Sequence, residues 1–450
     1  MQSRTAAATR PWIASIITIG GALAIGRTVA VDPVRAATGA VLVLLIAAAV
    51  LLPELLAATA PALILLNPPG KSARLDLLVP IALLLVVFVR KLARRSIALS
   101  IGQCMLVAFA VWVVLNYALH YKGFAESAPS DLSPAADAAT LIAGVMLALA
   151  ASGLDIPRGY LFYISGGAIA VVAVITILQG SPETVLFGLN RNYLGMVIAL
   201  GVAIAAMMMR RRTAIIWLGA SVAMVWALVI LQSRGATIAA GSGVLLATIV
   251  RVSGDVLGRR TALAAAAIVA VAAIVVTASP SLSEAAQFGR AQSDLTMSDT
   301  TRFAAVEVAI ATTALNPVIG VGYGRFGLTA YSDPRLNQYI NTHNEYLRIS
   351  AELGLPGIAL FVTMLYATSK GLLRSGERAG LVLFATYLVG LLFANTISNL
   401  LVTAPFWLCV GIGLRGVKSP SYMEGPRTVI VADSLAGEGI LARSRPHPVP

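Results

Sequence analysis

Three residues in this chain have the type and setting for acid–base or phosphate chemistry. His343 lies in Thr342-His343-Asn344-Glu345, Arg191 in Leu189-Asn190-Arg191-Asn192-Tyr193, and Arg234 in Ser233-Arg234-Gly235. Thr342 followed three residues on by Glu345 reads as a capping box. The helix it opens runs to Leu353, with Gly354 just past its end and Pro356 beyond as a stop. His343 then falls in the first turn, where free N–H groups and the positive dipole end attract anions. The same field favours the neutral imidazole, which can accept a proton. Each arginine offers a fixed fork of donors that suits the paired oxygens of a pyrophosphate. Plainer readings stay open: His343 as an interfacial polar residue, and the arginines as side chains snorkelling to headgroups.

Other chemistries lack their residues. Cys104 and Cys409 each sit in an apolar run and form no disulfide framework, while His120, His343 and His447 are far apart, so a side-chain metal site is not expected. Gly70-Lys71-Ser72 imitates the end of a phosphate-binding loop, but position 65 is Leu where that motif needs Gly. ATP-driven work is therefore not expected. Neither a carboxylate pair for a metal-bound nucleotide sugar nor a GxSxG elbow occurs.

The elements that must position these residues follow from composition. The chain is 58% hydrophobic and only 12% charged, against about a quarter charged in soluble domains. One core could not bury that much hydrocarbon, so the bilayer is the natural solvent. The net charge of +13 comes as short clusters between apolar runs, a pattern of membrane orientation that argues against a nucleic-acid partner. The fold class is all-α, a polytopic transmembrane bundle of about 12 spans, up to about 14. The runs are 11–26, 36–52, 75–90, 97–119, 137–154, 159–179, 192–209, 213–232, 235–250, 262–279, 355–373 and 379–414. The first reads as an uncleaved transmembrane helix. The last is long enough for two short passes folding back near Asn395–Asn399, and residues 53–66 read as a further short pass or a re-entrant piece.

Basic clusters at Arg90/Lys91/Arg94/Arg95, Arg210–Arg212, Arg251/Arg259/Arg260, Lys370/Arg374/Arg378 and Arg415/Lys418 are expected in the cytoplasm. Parity then puts Arg191, Arg234 and the long segment 280–354 on the opposite, periplasmic face. In that segment Arg290, Arg302, Arg325, Arg335 and Arg348 are outnumbered by Glu284, Asp294, Asp299, Glu307, Asp333, Glu345 and Glu352. A helix from Ser298 or Asp299 to about Leu315 is expected there, with Phe303, Val306 and Ile310 on one stripe. Gly320 to Gly327 reads as a turn-rich loop. Four divisions result: transmembrane helices in 1–279, a large external loop with short helices in 280–354, transmembrane helices in 355–418, and a disordered cytoplasmic tail in 419–450.

Within this frame, NTHNEYLRISAELGLPGIALFV (341–362) and NPVIGVGYGRF (316–326), with Ser233-Arg234-Gly235-Ala236 between two spans, resemble the bacterial O-antigen ligase and polymerase family. Similarity extends over about residues 185–400. The resemblance implies a metal-independent, cofactor-free, inverting glycosyltransferase of the inner membrane. Such an enzyme takes a glycan from undecaprenyl pyrophosphate and passes it to an acceptor hydroxyl, on lipid A-core in ligases or on another glycan in O-antigen or exopolysaccharide polymerases. It implies His343 as catalytic base and Arg191 and Arg234 as pyrophosphate ligands. Arg325, Glu345 and Arg348 are secondary candidates for acceptor or phosphate contacts. A transporter is the rival of a different class; it would need ionisable residues near mid-membrane, and the runs 213–232 and 262–279 carry none.

Overall fold

The computed structural model describes residues 44–66, 74–93, 99–121, 133–181, 186, 189–209, 213–252 and 292–415, side chains at 158, 252 and 292–298 excepted. The expected spans 11–26 and 262–279, residues 36–43 of the run 36–52, and the tail 419–450 lie outside the described residues. Within them the chain is helical, with no strand and one isolated antiparallel bridge between Leu186 and Leu189. The helices are α1 (Pro53–Leu65), α2 (Leu75–Ala93), α3 (Ile101–Leu119), α4 (Pro134–Gly153), α5 (Arg158–Gln179), α6 (Arg191–Met208), α7 (Ala214–Leu231), α8 (Arg234–Val252), α9 (Gln292–Leu315), α10 (Phe326–Ser332), α11 (Glu345–Arg374), α12 (Arg378–Gly390) and α13 (Leu400–Leu414). Residues 44–51, ahead of α1, are also helical.

Six of the described helices are long and apolar enough to cross a membrane: α3, α4, α5, α6, α7 and α11. Their outward faces would be untenable in water. Along α7, Ile215, Ile216, Leu218, Val222 and Trp226 are all exposed, and a hydrocarbon solvent removes that cost. Inside the bundle, small residues let backbones meet. A Cβ at Gly371 of α11 would overlap the Gly413 carbonyl of α13, the close helix crossing that small residues permit in membranes.

Contacts at the helix termini separate two ends of the bundle. At one, Ser100 ahead of α3 donates to the carbonyl of Leu414 at 3.0 Å, and Arg415 pairs with Asp155 just beyond α4. There also, Arg90 of α2 pairs with Glu54 of α1 at 2.7 Å, and Arg251 of α8 donates to the carbonyl of Met209 after α6. The end of α11 and the start of α12 add Lys370, Arg374 and Arg378. Every described member of the sequence's basic clusters is therefore at this end. The opposite end collects the starts of α4, α6, α8, α11 and α13 with the ends of α3, α7 and α12.

At that second end, α9, α10 and the start of α11 share a small core of Ala305, Val308, Ala309, Phe326, Ala330, Leu336 and Ala351. The stripe expected on α9 is its outer one. Phe303 and Ile310 are 70% and 55% exposed, and the alanine-rich face is buried instead. Small side chains let α9 lie flush on α11. α11 breaks at Gly354, where φ is 69°, as the sequence suggests, but the helix resumes at once. Leu355 N donates to the carbonyl of Pro317 at 2.7 Å, and Trp112 Nε1 caps the carbonyl of Leu353 at 3.0 Å.

Between α12 and α13, residues 391–399 turn back where the sequence suggests. The flanking helices have 13 and 15 residues, about 20 and 22 Å at 1.5 Å per residue, short of a ~30 Å hydrocarbon core. Thr396 and Ile397 of the connection are fully buried. Gly371→Leu should force α11 and α13 apart and lower the melting temperature of the purified protein by several degrees, the effect of roughly 1–3 kcal/mol of overpacking. Gly219→Leu, in open space on α7, should leave it unchanged.

Candidate functional site

Arg191 and Arg234 are each the first residue of a helix. Asn190 caps α6, its Oδ1 accepting from Asn192 N at 3.1 Å and Tyr193 N at 3.2 Å. Helix α7 ends on Gln232 in the left-handed region (φ 52°), so the chain reverses within two residues before Arg234 begins α8. The two helix starts are neighbours, because a Cβ at Gly195 would meet Ala236 and Ser233 at 2.9–3.0 Å. Gly235 in turn is pressed against Phe393, which brings the 391–399 connection to the same place.

The segment carrying His343 is tied to the same connection. Two residues after the histidine, Glu345 N donates to the carbonyl of Leu391 at 2.8 Å. The capping box expected for Thr342 and Glu345 is overturned. His343 has φ 53°, and a left-handed residue cannot belong to the first turn of a right-handed helix. Asn344 is the N-cap instead, its Oδ1 accepting from Leu347 N at 3.2 Å. Thr342 serves as a clip: its hydroxyl donates to the carbonyl of Asn344 (2.6 Å) and accepts from Asn344 N (3.1 Å) and Asn395 Nδ2 (3.1 Å). A non-glycine residue held in this conformation is strained by about 1–3 kcal/mol, and such strain clusters at functional sites.

The neutral state expected of His343 holds, with a different cause. Burial, and then the positive charge of Arg302, pull its pKa down to about 4. Arg302, on α9, also lines a small cavity with Asn192, Ser233, Gly235, Gly390 and Phe393. One turn earlier on α9, Asp299 forms an ion pair with Arg234, so the partner that the turn around Arg234 lacks comes from the long segment. The structure thus brings Arg191, Arg234 and His343 to one end of the bundle and adds Arg302 and Asp299. The 3-residue spacing of Asp299 and Arg302 on a helix was the available signal for that pair.

Two of the secondary candidates, Glu345 and Arg348, occupy a buried cluster. Arg348, 2% exposed, pairs with Asp137 (2.7 Å), Glu352 (3.2 Å) and Glu345 (3.6 Å), donates to Ser398 Oγ at 3.2 Å, and stands 5.4 Å from the Tyr323 ring centroid. Glu345 Oε2 accepts from Ile397 N at 3.2 Å, and Glu352 Oε1 from Phe326 N at 3.1 Å. Arg325 is buried beside Gly322. Glu345 does not reach back to cap its own helix; it and Arg348 tie backbone segments together. Asp137, at the start of a run read as a span, was a visible sign of this cluster, since an acid inside a span needs a partner.

Residues 219–362 match the family model described as O-Antigen ligase. No curated protein matches the chain. The matched segment runs from α7 through the first part of α11, so it contains Arg234, Asp299, Arg302, His343 and Arg348, while Arg191 precedes it. This match supports the O-antigen ligase family. Together with the six apolar helices, this likeness over part of the chain suggests a multi-pass membrane protein of the O-antigen ligase or polymerase type.

Arg348→Met leaves three carboxylates without their shared cation. Breaking a buried pair this way costs about 3–5 kcal/mol, so the variant should fail to accumulate as a monodisperse protein in detergent. Arg234→Met removes only a partly exposed pair, of roughly 0–1 kcal/mol, and should purify like the parent.

Proposed function

We propose that this protein is an O-antigen ligase that moves a glycan from undecaprenyl pyrophosphate to an acceptor hydroxyl on lipid A-core, inverting the anomeric centre without metal or cofactor. The observation that carries this reading is that Arg191, Arg234 and His343 lie at one end of the bundle, where burial and Arg302 keep the histidine neutral. The end with Arg90, Lys91, Arg251, Lys370, Arg374, Arg378 and Arg415 is the cytoplasmic one by the positive-inside rule. The site then faces the periplasm, where the outer leaflet of the inner membrane presents the donor.

The arginines bind the pyrophosphate and stabilise the charge that grows on it. In the reaction the bond from C1 of the sugar to the phosphate oxygen breaks, and its electron pair leaves with the pyrophosphate. The acceptor oxygen forms the new bond to C1 from the opposite side, and its proton passes to His343. A proton on His343 so close to Arg302 is readily lost to water or to the departing pyrophosphate, which restores the base. Asp299 has to yield Arg234, wholly or in part, to the phosphate. Their pair is about one-third exposed on each side, weak enough to exchange.

His343→Ala should lower the transfer rate by about 10²–10⁴-fold, the usual worth of a positioned base, with unchanged melting behaviour. Arg191→Ala and Arg234→Ala should depress it by roughly 10²-fold or more. The assay is transfer of glycan from purified lipid-linked donor to lipid A-core in proteoliposomes, and normal transfer by both His343→Ala and Arg234→Ala would refute the reading.

The pH profile gives a separate check. A free histidine titrates near 6.5, but His343 does so at about 4. The base is therefore unprotonated throughout the neutral range, and the rate should show no acid limb at pH 6–7, falling only toward pH 4. Stability follows the same sign. Between pH 6.5 and about 4 the unfolded chain binds more protons at this residue than the folded one, so the stabilisation present above 6.5 is lost as pH falls through that window.

A further inference from the structure

A pair of tyrosines stands at the rim of the small core formed by α9, α10 and the start of α11, outside every step described above. The rings of Tyr331 and Tyr339 are stacked, with centroids 4.3 Å apart and planes 7° from parallel. They remain 48% and 37% exposed. Their geometry is fixed by the turn between them. Asp333 Oδ1 accepts from Arg335 N at 2.9 Å, and the Arg335 guanidinium closes back onto the same carboxylate at 3.0 and 2.7 Å. Leu336 anchors the turn in the core, and Asn337 adopts φ 46° to complete it. Two aromatic rings are thus held rigid at the surface with charged groups beside them.

We propose that Tyr331 and Tyr339 form a glycan-binding platform, on which a sugar ring of the donor or acceptor chain stacks while Arg335 and Asp333 meet its hydroxyls. An aromatic face carries partial negative charge, and the C–H face of a pyranose carries partial positive charge. The polar rim suits a ligand that is apolar on one face and covered in hydroxyls at its edge. Because the rings are already ordered, little entropy is lost on binding. Tyr339 precedes His343 by four residues, so their Cα atoms are no more than ~14 Å apart, within the length of a short oligosaccharide. Tyrosines also gather at lipid headgroups. Here, however, the turn between the two rings carries Asp333 and Arg335, and Arg335 lies 4.0 Å from Glu307 of α9. That setting favours a neutral, hydroxyl-rich ligand over an apolar boundary.

This inference rests on the proposed function only for the class of ligand, and binding can be read without turnover. The probe is the glycan released by mild acid from the producing cell's own lipid-linked polysaccharide, offered to the full-length protein in lipid nanodiscs and followed by saturation-transfer NMR. Tyr331→Ala and Tyr339→Ala should each weaken binding roughly 3- to 10-fold, while Tyr331→Phe and Tyr339→Phe retain it. Alanine variants that bind like the parent would overturn the platform. Should those variants not fold, hydrogen exchange on the unaltered protein decides: slowing of residues 331–340 by glycan supports the platform. Slowing there by lipid alone, with no glycan effect, would assign the pair to the headgroups and reject it. A His343→Ala protein that has lost transfer should keep the glycan signal, which separates failure of the platform from failure of the reaction.

Discussion

The arrangement depends on one buried guanidinium. Arg348 sits where irregular backbone from two directions, residues 316–326 and 391–399, must be packed at the end of an apolar bundle. Backbone at such depth is tolerated only if its polar groups find partners in the protein. The carboxylates around Arg348 supply them. Glu345 takes the N–H of Ile397 and Glu352 takes that of Phe326, while Thr140 of α4 donates to the carbonyl of Ser398. Acids buried for that purpose would repel one another. Arg348, lying among all of them, is what makes their concentration bearable.

From that anchor the geometry of the site follows. Once Glu345 is fixed against the 391–399 connection, the residue two places before it has little freedom. Thr342 and Asn395 then hold His343 in a conformation that the chain would not choose alone. The same connection carries Phe393 against Gly235, which seats the start of α8 and hence Arg234. Burial and Arg302 set the charge of His343, and the packing of α9 on α11 sets the place of Arg302. Position and protonation state thus have a common origin in how α9, α10 and the start of α11 pack at the end of the bundle.

Much of this was legible in the sequence, for physical reasons that also mark its limits. Long apolar runs identify helices because the bilayer leaves few alternatives, and the runs 97–119, 159–179 and 192–209 match α3, α5 and α6 to within a few residues. Charge parity works because it is summed over many residues, so it could group Arg191, Arg234 and His343. The cap at His343 was misread because Thr-x-x-Glu is a local pattern, and here long-range partners claimed both of its residues: Asn395 for Thr342, Ile397 for Glu345. The inner face of α9 was not marked by bulk, because alanines bury as well as phenylalanine when a neighbouring helix comes close. In the sequence Arg302 is a term in a charge count, and Asp299 that and a candidate helix start. Nothing local reveals which of several loop acids meets an arginine 65 residues away.

Arg234 and Arg348 show how solvent exposure separates roles that sequence alone gives to both. Each is an arginine at the start of a helix on the same end of the bundle, and each has acidic partners. Arg348 is surrounded, so no ligand can reach it without dismantling the carboxylate cluster, and its charge is already consumed. Arg234 meets one carboxylate through one guanidinium nitrogen, and both side chains remain in contact with solvent. The rest of its donor fork is unclaimed among the described residues. A phosphate that approaches it competes with a single partner in a high-dielectric setting, where that partner holds weakly. The same residue type therefore serves as structure in the interior and remains available to a ligand at the rim.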